Sequence, residues 1–201
     1  MESKLYLVTE IEEKELGCVA LKEIKRGTLI LREKPCLLQN PDLDDLNKDY
    51  FDDIFCAYEK MDSDQKYKFL ELANAYEYIE KTNKYHNDKR KVYLNYLKEH
   101  PKPYPEGVAL KVIQITETNR FHNGVCLEMS RFNHSCVSNA EYFWNEDRNT
   151  RDVRAIKYVH ICSNLYFFAK TDLQCYLTEK TYFYFLRENL VKSHSECTRL
   201  M

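Results

Sequence analysis

The spacing of apolar residues changes period twice along this chain, and that change restricts the fold more than any other feature. Over residues 4–33 the pattern is one of short strands: Leu5, Leu7 and Ile11 are separated by polar residues, and Cys18-Val19-Ala20-Leu21 and Thr28-Leu29-Ile30-Leu31 are apolar runs. A turn at Lys22-Glu23-Ile24-Lys25-Arg26-Gly27 divides those two runs. Pro35 and Pro41 then punctuate the chain, and from Asp42 to about His100 the period is helical. One face carries Leu43, Leu46, Tyr50, Ile54 and Ala57, a second Phe69, Leu72, Ala73, Tyr76 and Ile79, and a third Val92, Tyr93, Tyr96 and Leu97. Asp62 or Ser63 is expected to cap the second helix and Asn87 the third. Pro101, Pro103 and Pro105 form a stiff connector. Residues 108–120 fit either helix or strand, and Val125 to Ala155 returns to short strands and loops. A helical block held between two strand-rich blocks predicts a mostly β domain of short strands with a helical insertion, an α+β fold.

The 201 residues suffice for one large domain, or one domain with an insertion, and 44% hydrophobic with 31% charged residues suits a globular chain. A formal net charge of -2 argues against a nucleic-acid-binding domain that works through a basic face. No apolar run approaches the ~20 residues of a membrane-spanning helix, and no secretory h-region follows Met1-Glu2-Ser3-Lys4. An intracellular protein, cytoplasmic or nuclear, is the expectation. None of the eight cysteines forms a C-x-x-C pair, so a structural zinc site is not expected and the thiols read as reduced and mostly buried. Nine acidic residues between 42 and 64, against Lys48 and Lys60, make a solvated helix face or a surface that attracts a basic peptide.

The chemistry concentrates in Arg131-Phe132-Asn133-His134-Ser135-Cys136-Val137-Ser138-Asn139. This polar run has little helix preference and lies between apolar Val125, Leu127 and Met129 and the strand-like Ala140-Glu141-Tyr142-Phe143-Trp144. A tight loop between packed elements follows, with polar groups that need partners, since each one left unsatisfied costs roughly 1–3 kcal/mol. The residues alone admit three readings: a Cys136 nucleophile activated by His134, zinc ligation by Cys136 and His134 with more distant thiols, or a satisfied polar turn in the core.

Residues 14–35 resemble the opening of a SET domain: a glycine-containing turn at Lys14-Glu15-Leu16-Gly17, a strand reaching Ala20, an I-x-x-G turn at Ile24 to Gly27, and a strand closing with Glu33-Lys34-Pro35. The run Asn133 to Asn139 is similar to that family's N-H-S-C-x-P-N signature, and Arg154-Ala155-Ile156 matches the strand expected after it. The helical stretch resembles, by position, the insertion of SET proteins of the SET-and-MYND type, without the cysteine pairs of a MYND zinc finger. On this resemblance residues 1–41 are the N-terminal part of the domain, 42–107 the insertion, 108–157 the signature-bearing part and 158–201 a divergent or truncated C-terminal segment.

The resemblance implies S-adenosylmethionine-dependent methylation of lysine side chains in a protein substrate, histones being one such class. Lysine has a pKa near 10.4 in water; a dry channel and the sulfonium charge both favour its reactive, neutral form, and positioning carries most of the acceleration. Asn133 and His134 would hold the cofactor, with Lys14, Glu15, Leu16 and Gly17 closing over its methionine end, and Phe132, Tyr142 and Trp144 would either line the pocket or belong to the core. The match departs at Glu15, where a glycine is expected, and at Ser138, which replaces the signature proline. After Lys157 an acidic G-E-E-I turn is missing, and Ala169 falls where the family's tyrosine belongs, with Tyr166 as its possible substitute. The other reading of these losses is a catalytically inactive SET-like module that engages a protein partner through its helical insertion and acidic face.

Overall fold

A computed structural model of the chain describes residues 4–11, 15–39, 47–78, 83–121, 124–135 and 137–167. Strands β1 (Tyr6–Ile11) and β2 (Glu15–Ala20) form an antiparallel hairpin with Tyr6 opposite Ala20 and Ile11 opposite Glu15. Strand β3 (Leu29–Glu33) leads to β4 (Leu37–Leu38), after which the helices begin. They are α1 (Lys48–Glu59), α2 (Ser63–Leu70), a 3-10 turn at Ala75–Glu77, α3 (Lys84–Glu99) and α4 (Glu106–Asn119). The chain then returns to strands: β5 (Arg120–Phe121), β6 (Gly124–Val125), β7 (Asn133–His134), β8 (Ala140–Asn145), β9 (Thr150–Ala155) and β10 (Asn164–Phe167). The strands make three small sheets, ordered β1-β2-β10-β7, β3-β9-β8 and β4-β6-β5. Short strands with a helical insertion are the α+β architecture that the two changes of period predict, and their grouping into small sheets is what the resemblance implies.

Two cores follow from this layout. The helices enclose Tyr50, Phe51, Ile54, Phe55, Phe69, Tyr93 and Ile113, with Leu37 and Val125 contributed by the third sheet. The other two sheets enclose Tyr6, Cys18, Ile24, Met129, Phe132, Tyr142, Val153 and Leu165. Phe132 and Tyr142 are therefore core residues, and Trp144 lies beneath the Arg151 guanidinium, 5.0 Å from its ring centre. Strand β8 alternates as a half-buried strand does, Ala140 and Tyr142 inward and Glu141 and Phe143 outward. Strand β9, central in its sheet, is buried almost throughout and includes Asp152. That carboxylate binds Arg32 at both oxygens, from Nε at 2.7 Å and from Nη2 at 2.5 Å, and also accepts from Asn145 Nδ2 and Thr150 Oγ1.

Several expectations are corrected. The ambiguous stretch 108–120 is helix as far as Asn119: α4 begins behind Pro105, and its last turns are buried all round. Helix α3 is capped by Asn83, whose side chain accepts from the His86 amide, whereas Asn87 lies inside the helix. The second apolar face is not one helix, because α2 ends at Leu70 and the chain bends before the 3-10 turn. Asp62 does cap α2, in a reciprocal pair with Gln65. All five described cysteines are free, but only Cys18 and Cys126 are buried; Cys56 and Cys162 are exposed. Leu43, Leu46 and Ile79 lie outside the described residues. No helix among the described residues is long and apolar enough to cross a membrane.

Two similar turns lock the hairpin sheet to the second sheet. Ile24 and Val159 exchange both backbone hydrogen bonds, at 2.9 Å each. Three residues beyond each, Gly27 N donates to Ala155 O at 2.7 Å and Cys162 N donates to Ala20 O at 2.9 Å. Both residues have left-handed backbones, φ 85° for Gly27 and 63° for Cys162. Glycine adopts this at no steric cost, but a side chain there crowds the following carbonyl by roughly 1–2 kcal/mol. The glycine expected after Lys157 is thus missing where the backbone asks for one. Cys162→Gly is expected to raise stability by about 0.5–1 kcal/mol, the relief of strain exceeding the entropy that glycine loses on folding. Urea unfolding would measure it, and a destabilised variant would refute it.

Candidate active site

The first and last thirds of the chain meet at β2, β7 and β10. Asn133 stands at the start of β7, and its Nδ2 donates to the Leu16 carbonyl of β2 at 3.4 Å. A Cβ on Gly17 would fall 2.3 Å from that Nδ2 and 2.3 Å from Ile11 Cδ1, so only glycine leaves room for Asn133. Here the glycine serves close approach rather than a turn. Glu15, Leu16 and Gly17 lie in a strand, with Glu15 opposite Ile11, which corrects the expected turn; extended backbone makes no demand for glycine at Glu15. Lys14 lies outside the described residues.

Strand β10 fills the space between β2 and β7. It runs antiparallel to β2, with Leu165 opposite Cys18, and parallel to β7, with Tyr166 opposite Asn133 and Phe167 opposite His134. Asn139, the last residue of the signature, holds this strand by its backbone: its Nδ2 donates to Asn164 O at 2.7 Å and its Oδ1 accepts from Tyr166 N at 2.9 Å. Leu165 enters the core while Asn164 and Tyr166 share the other face, where Asn164 Nδ2 donates to the Tyr166 hydroxyl at 2.8 Å. Ala169 lies outside the described residues.

The loop is presented by a short 3-10 turn at Met129–Arg131. Glu33, at the end of β3, accepts from the Glu128 and Met129 amides at 3.0 and 2.9 Å. Burial raises its pKa even though those amides pull the other way. Phe132 packs on Tyr6 with ring centres 5.2 Å apart, and the Tyr6 hydroxyl donates to Glu128. The residues that precede Asn133 are thereby fixed on two sides.

The structure brings Leu16, Gly17, Asn133, His134 and Tyr166 to one junction of strands. Sequence reasoning assigned no role to Glu33, Asn139 or Asn164, although the first two stand inside the quoted motifs. The Cys136–His134 reading lies outside what is described at side-chain level. No group of three or more His, Cys, Asp or Glu side chains arranged to hold a metal ion occurs among the described residues. What the site offers is the half-buried amide side chain of Asn133 set against the paired backbone of β2 and β10, with Leu16 exposed beside it. That set can bind and orient a polar ligand, and proton transfer is not its evident task.

The chain belongs to the SET domain family, whose profile matches residues 15–173. Solved structures of the same fold include the SET domain of LSMT bound to lysine and AdoHcy, at 15% identity with a TM-score of 0.60, covering 88% of this chain and 52% of that one. Rubisco LSMT bound to AdoMet matches at 17% identity and a TM-score of 0.63, covering 88% and 51%. Rubisco LSMT bound to sinefungin and monomethyllysine matches at 17% and 0.62, covering 86% and 49%. The present chain spans about half the length of these proteins. No curated protein matches it in sequence.

Proposed function

We propose that this chain binds S-adenosylmethionine at the junction of β2, β7 and β10 and directs methyl transfer to the side-chain amine of a lysine in a protein substrate. The observation that carries the reading is the seating of Asn133 on Gly17, which joins the family's opening motif to its signature. The solved relatives that share the fold hold AdoMet, AdoHcy, sinefungin, lysine or monomethyllysine, which supports the same ligand classes here. The residues present fit such a donor. Among the described residues Asn133 Oδ1 accepts no hydrogen bond, so it retains an acceptor for an ammonium group, and Leu16 beside it is 40% exposed.

The donor supplies a methyl group on a cationic sulfur, so the reaction is a displacement that needs alignment more than acid–base help. Asn133 and the backbone of His134 would bind the donor, and Leu16 and Gly17, with Lys14 and Glu15 ahead of them, would cover its methionine end. Tyr166, held by Asn164 and Asn139, would orient the target amine in place of the tyrosine missing at Ala169. The helical insertion at 42–107, between the parts at 1–41 and 108–157, supports the SET-and-MYND subtype.

The test is a calorimetric titration of the native chain, Asn133→Ala and Tyr166→Phe with S-adenosylmethionine, followed by a lysine-peptide methylation assay. The native chain is expected to bind, Asn133→Ala to bind at least about tenfold more weakly with its fold intact, and Tyr166→Phe to bind normally but lose transfer. Absence of binding by the folded native chain sinks the proposal. Binding without transfer to any lysine peptide would favour the inactive interaction module.

A further inference from the structure

The helical insertion contains a second arrangement with recognisable chemistry, made of Asp52 and Phe55 on α1 and Tyr96 on α3. The Phe55 and Tyr96 rings are nearly parallel, 7° apart in plane, with centres separated by 6.0 Å. The Lys102 ammonium lies 4.4 Å from the centre of the first ring and 5.0 Å from that of the second. Asp52 completes the surround: its Oδ1 accepts from the Tyr96 hydroxyl at 2.5 Å and stands 3.7 Å from Lys102 Nζ. Two aromatic faces and a carboxylate around a cation are the components of an aromatic cage, the arrangement that recognises methylated ammonium groups.

Lys102 is an ill-matched occupant. Its side chain is only 13% exposed, yet its ammonium, with three N–H donors, makes no hydrogen bond to a described residue. A primary ammonium loses strong hydration on entering such a site. A methylated ammonium has fewer or no N–H groups to satisfy, carries the same charge and meets the rings with apolar methyl surface. Lys102 also belongs to no helix or strand, standing between Pro101 and Pro103 in the connector from α3 to α4, while Asp52 at the rim is 44% exposed. Its hold on the cage rests on being tethered beside it, which acts as a high local concentration.

We infer that Asp52, Phe55 and Tyr96 form a binding site for a methylated lysine side chain of a protein partner, blocked in cis by Lys102. The surroundings favour a lysine within a basic peptide over a free quaternary amine such as choline. Helix α1 also carries Asp49, Asp53 and Glu59 against a single Lys48, and beyond its end Lys60 is followed by Asp62. This site is separate from the proposed methyl-transfer site and does not depend on it.

The experiment is a titration of the full chain, native and Lys102→Ala, with tetramethylammonium and then with an arginine-flanked trimethyllysine peptide, its unmethylated form and choline. Lys102→Ala is expected to bind tetramethylammonium saturably and at least about tenfold more tightly than the native chain, and to prefer the trimethyllysine peptide over the other two ligands. No saturable binding of tetramethylammonium by folded Lys102→Ala overturns the site. Choline bound as tightly as the peptide overturns the assignment of a protein partner. Should the alanine variant fail to fold, Lys102→Gln, which keeps the stem and removes the charge, carries the same comparison.

Discussion

Gly17→Ala should fold nearly as well as the native chain and yet lose at least about tenfold in affinity for S-adenosylmethionine. The two atoms that the new methyl would strike, Asn133 Nδ2 and Ile11 Cδ1, are ends of side chains, so the collision is relieved by moving them. The backbone at Gly17 lies outside the left-handed region, and alanine recovers about 0.5–1 kcal/mol of the entropy that glycine forfeits. Stability therefore changes little. The displaced group is Asn133, whose amide the proposed function assigns to the donor, so the cost falls on binding. Calorimetry paired with thermal unfolding of the same sample separates the two. A variant that binds normally would mean that Asn133 is not a donor ligand, whereas one that unfolds would mean that β1 and β2 cannot yield around position 17.

Asp152→Asn is expected to lower stability by about 2 kcal/mol, or roughly 4–8 °C in Tm for a chain of this size. Breaking a fully buried pair costs roughly 3–5 kcal/mol; the lower figure applies because the Arg32 side chain is 32% exposed and recovers part of its hydration. The two bonds from Arg32 are the main reason that the Asp152 pKa falls to about 2, with Asn145 and Thr150 assisting against burial. In the unfolded chain the same carboxyl titrates near 3.9. A depressed folded pKa means that the contribution is complete above about pH 4 and is lost as the pH falls towards 2. The native chain should thus lose stability across that window, and Asp152→Asn should lose less of it. Equal acid sensitivity of the two chains would show that other carboxylates dominate.

Much of the architecture was legible because burial leaves a period. Strands such as β8 bury every second residue, and Tyr93, Tyr96 and Leu97 mark the inner face of α3. Helix α4 resisted reading because Val112 to Asn119 are buried without exception, so no polar stripe reveals the turn. Its Thr116, Thr118 and Asn119 side chains donate to carbonyls four residues back, and a polar residue satisfied in that way looks from sequence like one facing water.

The site was legible in a different manner. Gly17, Asn133 and His134 stand in motifs that resemble a family pattern, so they could be singled out as candidates without any knowledge of their contacts. A glycine marks either a turn or a close approach; the resemblance put Gly17 in a turn, and its contact with Asn133 shows the close approach. Asn139 and Glu33 escaped because their partners are backbone groups, which carry no side-chain identity for a pattern to register. The Asp152–Arg32 pair escaped because charges in strands read as solvent-facing. The Lys102 cage joins residues from α1, α3 and the connector, and only their packing brings them together.

The placement of β10 between β2 and β7 imposes an order on synthesis. The inner edge of β2 finds its partner only when Leu165 can reach Cys18, and at ribosomal rates of 5–20 residues per second that is a wait of roughly seven to thirty seconds. Throughout this interval the nascent hairpin presents an open row of backbone donors and acceptors, the kind of edge that recruits foreign strands. The helices, whose contacts are closer in sequence, can assemble meanwhile. The domain is therefore a late-closing one, and its vulnerable species during production is the ribosome-bound chain with the β1–β2 hairpin made and β10 still in the exit tunnel.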